Sequence, residues 1–375
     1  MRDFMTFKSG KFYFSEKFDH QKINDLLIRA VVLNETIVDL PILPELSSRL
    51  EPKIMYSSIS GTAAIEGNPI TEEDVKKIAE GQDVEEYTKK DKQEIINLIK
   101  AYSLLSSIDF TDNPFILTED LIRELHKIIT DQVPDEHNIP GRYRNGIVHI
   151  GDKAYGGIYT PPKILEDVKN LMKEFVSWIN SDEITKISPF IRAAIAHYHF
   201  CIIHPFWDGN GRTARLIEAI ILQAANIKYA PKELSNFYYR NVDDYYIAFS
   251  KSIKLKKDVT PFLEFALNAA VHSLTNIKEA IVYFIRKFAL RDYYTFQKQQ
   301  KAITKRQFDL LSLLLNYPVC FAFNIKDLFY VPPFSFLYNR VSTQTARRDL
   351  KKLSSMELIL LDDKGKYILN FRILG

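Results

Sequence analysis

Apolar side chains recur at helical spacing along most of the chain. In residues 19–33, Ile23, Leu26, Leu27 and Ala30 fall three or four apart, and Pro41 and Pro44 end the run. Tyr56 to Glu66 reads as a second helix, stopped by Gly67-Asn68-Pro69. Thr71 suits an N-cap for a third, with Asp74 completing an approximate capping box. The same spacing predicts helices over 84–108, 118–130, 163–180, 189–203, 212–225, 242–255 and 258–300. We find no internal repeat.

Two stretches break this texture. Residues 140–162 hold five of the 13 glycines, at 141, 146, 151, 156 and 157, and Val148 and Ile150 alternate with polar neighbours. That pattern predicts a short hairpin set into a helical body. Beyond the polar run Gln297 to Lys301, helices are expected at 305–316, 324–330 and 342–355, with a loop at Pro332-Pro333. Two apolar runs, Leu358–Leu361 and Tyr367–Asn370, then flank the turn Asp362-Asp363-Lys364-Gly365. Helices followed by a hairpin is the order of a winged helix-turn-helix.

Composition narrows the class. A chain of 375 residues predicts two or three domains. Its 46% hydrophobic and 26% charged residues exclude disorder and low complexity for the bulk of it. Two cysteines, Cys201 and Cys320, exclude a disulfide scaffold and a multi-cysteine zinc site, and fit a reducing cytoplasm. No apolar run approaches the roughly 18 residues of a membrane span, so no membrane partner is expected. Met1 to Lys11 lacks the apolar segment of a signal peptide. Net charge is +3, but residues 301–375 carry 12 Lys+Arg against 6 Asp+Glu, hence +6. A basic tail on a near-neutral body suits an acidic partner as well as a merely solvated face.

The chemistry concentrates at His204-Pro-Phe-Trp-Asp208-Gly209-Asn210-Gly211-Arg212-Thr213-Ala214-Arg215. The Ala/Ile-rich segment from Pro189 to Ile203 reads as a buried helix, and His204-Pro205 ends it, because proline disfavours helix before itself. Gly209, Asn210 and Gly211 then sit before a new helix, where free N–H groups and the dipole favour phosphate. Arg212 and Arg215 share one helix face, and two guanidiniums beside an anion hole suit a polyphosphate. Asp208 suits Mg²⁺, a single carboxylate leaving the remaining positions to phosphate oxygens. His204 is the nearby group that accepts a proton near neutral pH.

Other readings of these residues fit less well. A calcium loop would put Arg212 and Ala219 where carboxylates are needed. His197, His199 and His204 lack a matching acidic or sulfur partner, so His197 and His199 read as satisfied core residues. Cys201 lies three before His204 but within an apolar run, which favours packing over a thiol nucleophile. Neither a Walker A nor a Gly-x-Ser-x-Gly pattern occurs.

The stretch resembles the signature of the Fic family, His-Pro-Phe-x-(Asp/Glu)-Gly-Asn-Gly-Arg-x-x-Arg, without departure. The resemblance extends over about 40–270, including Leu40-Pro41-Ile42-Leu43-Pro44 and the 56–70 segment. It implies a mainly α fold: a Fic-type helical domain with a small β-hairpin flap, joined here to a C-terminal winged helix. The expected domains are an N-terminal helical region at 1–110, a Fic core at 111–270, a connecting helix at 271–300 and the winged helix at 301–375. The implied activity transfers AMP from ATP, with Mg²⁺, to a Ser, Thr or Tyr hydroxyl of a protein, releasing pyrophosphate. His204 would be the general base and Asp208 would position Mg²⁺. Gly209, Asn210 and Gly211, with the flanking Thr213 and Ala214, would cradle the α- and β-phosphates. Arg212 would hold the β- and Arg215 the γ-phosphate. The flap, Val148, His149, Ile150 and Gly151, would dock the target segment. Tyr245 and Tyr246 resemble aromatic residues around the adenine, although a tyrosine pair at this spacing also suits a core.

Thr62-Ala-Ala-Ile65-Glu66-Gly67 resembles the family's inhibitory motif, within a helix at about 56–67. Glu66 would pair with Arg215 and keep it from the γ-phosphate. In the tail, Ser342 suits an N-cap, Ala346, Leu350 and Leu353 an inner stripe, and Gln344, Arg347, Arg348 and Lys351 an outer face. That helix resembles those of bacterial transcription regulators, and DNA, protein docking and homodimerisation all remain open for it. So do self-modification, the target protein, removal of AMP by the same pocket, and a nucleotide-sensing DNA-binding regulator as the overall role.

Overall fold

The computed structural model describes residues 1–42, 44–110 and 114–375. Leu43 and the expected boundary after residue 110, which adjoins 111–113, therefore fall outside the described residues or at their edge. Two compact units are resolved, Met1–Lys278 and Glu279–Gly375.

The first unit begins with a hairpin absent from the helical reading. Strands β1 (Arg2–Met5) and β2 (Lys11–Phe14) pair antiparallel. Phe12 and Phe14 turn inward, and Phe14 packs 5.4 Å from Trp178 and 5.6 Å from His199. Asp167 fastens the turn by accepting from the N–H groups of Phe7 at 2.7 Å and Lys8 at 3.1 Å. Helices α1 (His20–Val38), α2 (Pro44–Ile65), α3 (Glu72–Ala79), α4 (Lys89–Ser107) and α5 (Glu119–Thr130) follow. The expected inhibitory helix is longer than 56–67: Pro44 lies in its first turn, where proline is tolerated, and Pro52 lies inside it. Thr71 caps α3, as the sequence predicts, its hydroxyl accepting from Asp74 N–H at 3.3 Å.

After the glycine-rich stretch come α6 (Leu165–Ile179), α7 (Asp182–Thr185), α8 (Pro189–Ile203), α9 (Asn210–Ala224), α10 (Leu234–Arg240), α11 (Val242–Leu255) and α12 (Thr260–Gln299). Of the 15 residues of α8, 13 are buried, and of the 15 of α9, 12 are. Helices buried on nearly every side belong in the centre, and this pair packs together at the middle of the unit. The site hangs on the loop joining them.

The hairpin predicted within 140–162 contracts to one bridge. Ile150 and Tyr159 exchange two backbone hydrogen bonds, at 3.0 and 2.8 Å, and Val148 belongs to no strand. Gly151, Gly156 and Gly157 take φ of 89°, 109° and 128°, which curls the chain through a short 3-10 turn at Lys153–Tyr155. Alternation over four residues signals a strand, but a ladder also needs a partner of matching length.

The second unit contains the end of α12, then α13 (Lys305–Leu314), β3 (Ala322–Phe323), α14 (Asp327–Tyr330), α15 (Phe334–Tyr338), α16 (Thr343–Ser355), β4 (Ile359–Leu361) and β5 (Tyr367–Leu369). Its strands form an antiparallel sheet in the order β3-β5-β4. The sequence reading lacks β3 and puts α15 in a loop. Leu310, Leu314, Phe323, Phe334, Leu350 and Leu358 build this unit's own core.

Candidate active site

His204 closes α8 in a left-handed conformation, φ 50° and ψ 61°, with its N–H on Phe200 O at 2.9 Å. Its Nδ1 lies 3.2 Å from the Cys201 carbonyl. A carbonyl only accepts, so Nδ1 carries the proton and Nε2 is left as a base. Burial pushes the imidazole down to about 4, which keeps it neutral at ordinary pH.

Asn210 fastens the loop from within. Its amide accepts from Phe206 N–H at 3.0 Å and donates to Phe206 O at 2.9 Å. The side chain is thus unavailable to a ligand, and Asn210 offers its backbone only. Gly209 has φ of 75°, and a Cβ there would stand 3.0 Å from Thr130 Cγ2, so glycine answers two constraints at once. Thr213 and Ala214 turn their side chains into the core, and Thr213 N–H already bonds Gly209 O at 2.9 Å. What the loop leaves free for an anion is the first N–H groups of α9, at Asn210, Gly211 and Arg212.

Arg212 and Arg215 are both buried, in different surroundings. Arg212 bonds Asp208 Oδ2 at 2.7 Å and Glu94 Oε1 at 3.2 Å. Although burial opposes it, the Arg212 charge holds the Asp208 carboxyl below its usual range. Arg215 meets Glu66 Oε1 at 2.7 Å and Thr62 O at 3.1 Å through one nitrogen, and its Nε and other terminal nitrogen have no partner. The Thr62 hydroxyl is also buried without a partner, so Thr62 acts here through its carbonyl.

Gly67 explains how Glu66 is aimed. Gly67 takes φ of 86°, Asn68 N–H bonds Ala63 O at 3.1 Å, and Gly67 N–H bonds Ala64 O at 3.0 Å. These two bonds form a Schellman stop, which leaves Glu66 as the capping residue just past the end of α2, with its carboxylate in the cavity. Asn68 continues the fastening by donating to Glu94 Oε2 at 2.9 Å.

The cavity measures about 250 Å³ and is lined by Glu66, His204, Gly211 and Arg215, by Ile150 and Gly151 of the flap, and by Tyr155, Tyr245, Tyr246 and Phe249. His149 instead faces outward, 3.0 Å from the Thr160 hydroxyl. The tyrosine pair divides its roles. Tyr245 is buried, and its hydroxyl meets His197 Nε2 at 2.8 Å, while His197 Nδ1 meets Glu218 at 2.8 Å. Tyr246 is half-buried and stands 5.3 Å from Tyr155 across the cavity mouth.

The competing readings find no support in the geometry. His199 Nε2 lies 2.9 Å from Ser15 O, so both His197 and His199 are core residues with partners. Among the described residues no cluster of three His, Cys, Asp or Glu side chains is arranged for a metal. Burial pushes the Cys201 thiol far up, away from nucleophilic use.

Three residues of the site escape sequence reasoning. Arg144 is fully buried and donates to His204 O at 2.6 Å, to Ile203 O at 3.4 Å and to Gly146 O, while its own N–H reaches Pro205 O at 2.9 Å. Glu94 ties Arg212 from 118 residues away. His126 stacks on Phe206 at 3.6 Å, accepts from Gly141 N–H at 2.9 Å and therefore donates from Nε2 to Asp208 O at 3.0 Å. Arg144 and Glu94 stand among other polar residues, in 141–146 and 89–94, and His126 in an amphipathic helix, so nothing in the sequence singles them out or names a partner.

The Fic/DOC family model matches residues 116–222. A protein adenylyltransferase Fic of Aedes aegypti is 28% identical over 232 residues, covering 60% of this chain and 42% of the mosquito protein. The adenylyltransferase fic-1 of Caenorhabditis elegans is 29% identical over 237 residues, 62% of this chain and 42% of its own length. The chain thus spans less than half the length of these curated relatives. Among solved structures, a Fic family protein of Desulfovibrio desulfuricans has a TM-score of 0.60 at 23% identity, covering 96% of this chain and 98% of that one. Fic-1 of Caenorhabditis elegans has a TM-score of 0.57 at 23% identity, covering 69% of this chain and 72% of that one. At these identities the structures establish the shared mainly helical fold, and with the family model and the curated relatives they identify a Fic/DOC family domain in this chain.

Proposed function

We propose that this chain transfers AMP from ATP to a protein hydroxyl and that Glu66 restrains the transfer. The observation that carries this reading is the 2.7 Å pair of Glu66 with Arg215 inside the cavity that His204 lines, with two Arg215 nitrogens left unpaired. Buried guanidinium donors without partners fit a ligand rich in acceptor oxygens, as triphosphate is.

In the reaction the target hydroxyl oxygen forms a bond to the α-phosphorus. The bond from that phosphorus to the bridging oxygen of the β-phosphate breaks, and pyrophosphate leaves. His204 Nε2 takes the hydroxyl proton. The α9 N–H groups and Arg215 hold the phosphate charge, and such transfer rests on positioning and electrostatics. Asp208, one partly exposed carboxylate beside that cradle, fits Mg²⁺, which would neutralise charge on the phosphates. While Glu66 holds one terminal nitrogen of Arg215, that nitrogen cannot also grip the γ-phosphate, and the carboxylate beside it repels the phosphate from the other two. Glu66 retains 32% exposure, so the pair is weaker than a sealed one.

Two finer readings belong to the same proposal. Unit 2 is a winged helix, supported by the run of α13 to α16 into the β4–β5 hairpin. The location is cytoplasmic, supported by the two unpaired cysteines; no helix among the described residues is long and apolar enough to cross a membrane.

The test is labelling with α-³²P-ATP and Mg²⁺, of the purified protein alone and with lysate. Glu66→Gly should label at least tenfold more than wild type, and Glu66→Gly with His204→Ala should lose about 10²- to 10⁴-fold, the usual worth of a general base. Label absent from every form, or unaffected by His204→Ala, overturns the reading.

A further inference from the structure

We propose that the outward face of α16 docks double-stranded DNA in its major groove, through Gln344, Arg347, Arg348 and Lys351. Spacing of three, four and seven residues puts these four on one helix face. All four are exposed, whereas Ala346, Leu350 and Leu353 are buried against the unit's core. Lys352 adds a further exposed cation at the edge of this face.

The helix has one carboxylate, and the fold withdraws it. Asp349 is buried and bonded to Arg306 Nε at 2.7 Å, Gln307 Nε2 at 2.8 Å and the Tyr338 hydroxyl at 3.3 Å. Its charge is thereby neutralised on the inner side, and the outer face of α16 is left with cations and no acid. The same bonds lock α16 to α13. Gln307 also closes the capping box of α13, its Oε1 accepting from Thr304 N–H at 2.9 Å. The cationic face is thus held on a rigid support, as a groove-reading helix requires.

The chemistry of the face selects among acidic partners. Protein interfaces centre on aromatic or aliphatic anchors. The exposed positions of α16 are Thr343, Gln344, Arg347, Arg348, Lys351, Lys352 and Ser355, which offer none. The exposed aromatics of this unit, Phe288, Phe296, Tyr330 and Phe336, lie on α12, α14 and α15 instead. Phosphate contacts need cations and hydroxyls, and arginine and glutamine also suit base edges in a major groove about 12 Å wide. Duplex RNA has a major groove too deep and narrow for side chains to read, so the fit is to DNA.

The test uses the full chain and fluorescence anisotropy of a labelled mixed-sequence duplex across a salt series. Wild type should bind, with affinity falling as salt rises. Arg347→Gln/Arg348→Gln/Lys351→Gln should bind at least tenfold more weakly, and its log–log salt slope should be shallower by about 2.7, or about 0.9 for each phosphate contact removed. Equal binding by the two proteins, no binding at low salt, or equal binding to an RNA duplex of the same sequence overturns the proposal. All three positions are exposed, and a thermal melt checks that the variant folds. The assay needs no AMP transfer, so its failure and the failure of the labelling test are separate results.

Discussion

The loop from His204 to Gly209 and the flap from Val148 to Tyr159 meet the same cavity and are held by opposite means. Around the loop, Arg144, Asn210 and His126 each bond backbone groups from buried positions. The arms of the flap meet through two backbone bonds between Ile150 and Tyr159 and one exposed side-chain pair, His149 with Thr160, and its tip turns on local backbone bonds such as Gly157 N–H to Asp152 O at 2.9 Å. Groups that must meet developing charge are fixed in advance, where low dielectric makes them effective. A strand that would pair with a peptide keeps its backbone groups open, because an added strand bonds to whatever the edge leaves free.

Acid should strike the tightly held side of this comparison first and hardest. Burial pushes His126 and His199 down to about 4, against an unfolded value near 6.5. Between those values the unfolded chain binds more protons, so stability falls as pH drops from about 6.5 to about 4. Each histidine contributes a slope of up to about 1.4 kcal/mol per pH unit. Urea unfolding at pH 7, 6 and 5 should show the decline, and His126→Gln should have a shallower slope. Stability that stays flat down to pH 5 would mean these rings are hydrated and, for His126 on Asp208 O, that the loop is not sealed.

Arg144→Gln ranks next. It removes a cation bonded to the carbonyls of Ile203, His204 and Gly146, and each buried acceptor left bare costs about 1–3 kcal/mol. Several kcal/mol should be lost in urea unfolding. In the Glu66→Gly background, labelling should fall through kcat with little change in KM for ATP, because Arg144 holds the His204 backbone rather than the nucleotide. Arg144→Lys keeps the charge and one donor direction and should recover part of both. A rise in KM alone would move Arg144 from the base to the nucleotide.

What the sequence disclosed follows the range of the bonds involved. Gly67 closes α2 through residues three to five back, so local spacing conveys that stop, whereas the sequence reading gives Asn210 to the anion cradle and misses its lock on Phe206 four residues back. The α8 and α11 boundaries, 189–203 and 242–255, fall where the periodicity put them for the same reason. The pairing of Glu66 with Arg215 spans 149 residues and was legible only through resemblance to a family pattern. Arg144, Glu94 and His126 bond across 60, 118 and 82 residues with no such pattern, and were missed. The hairpin at Arg2–Phe14 had its signal in the alternation of Lys11 to Phe14, which four residues of pattern could not separate from noise. Over-reading the same kind of signal lengthened the flap.

The flap supplies the smallest effect and the cleanest contrast. Thr160→Val removes the partner of His149 at 3.0 Å while keeping the shape of the side chain. The lost pair is exposed, and water takes the place of the hydroxyl as partner of His149, so unfolding should shift by no more than about 0.5 kcal/mol. Glu66→Gly labelling should be equally indifferent, because neither His149 nor Thr160 lines the cavity. Urea unfolding of the single variant and labelling of the double variant check the two halves. A loss beyond about 1 kcal/mol would show that the flap draws its order from this pair, as the loop draws its order from Asn210. It would then be a prebuilt wall of the cavity, and the openness of its backbone would no longer distinguish it from the loop.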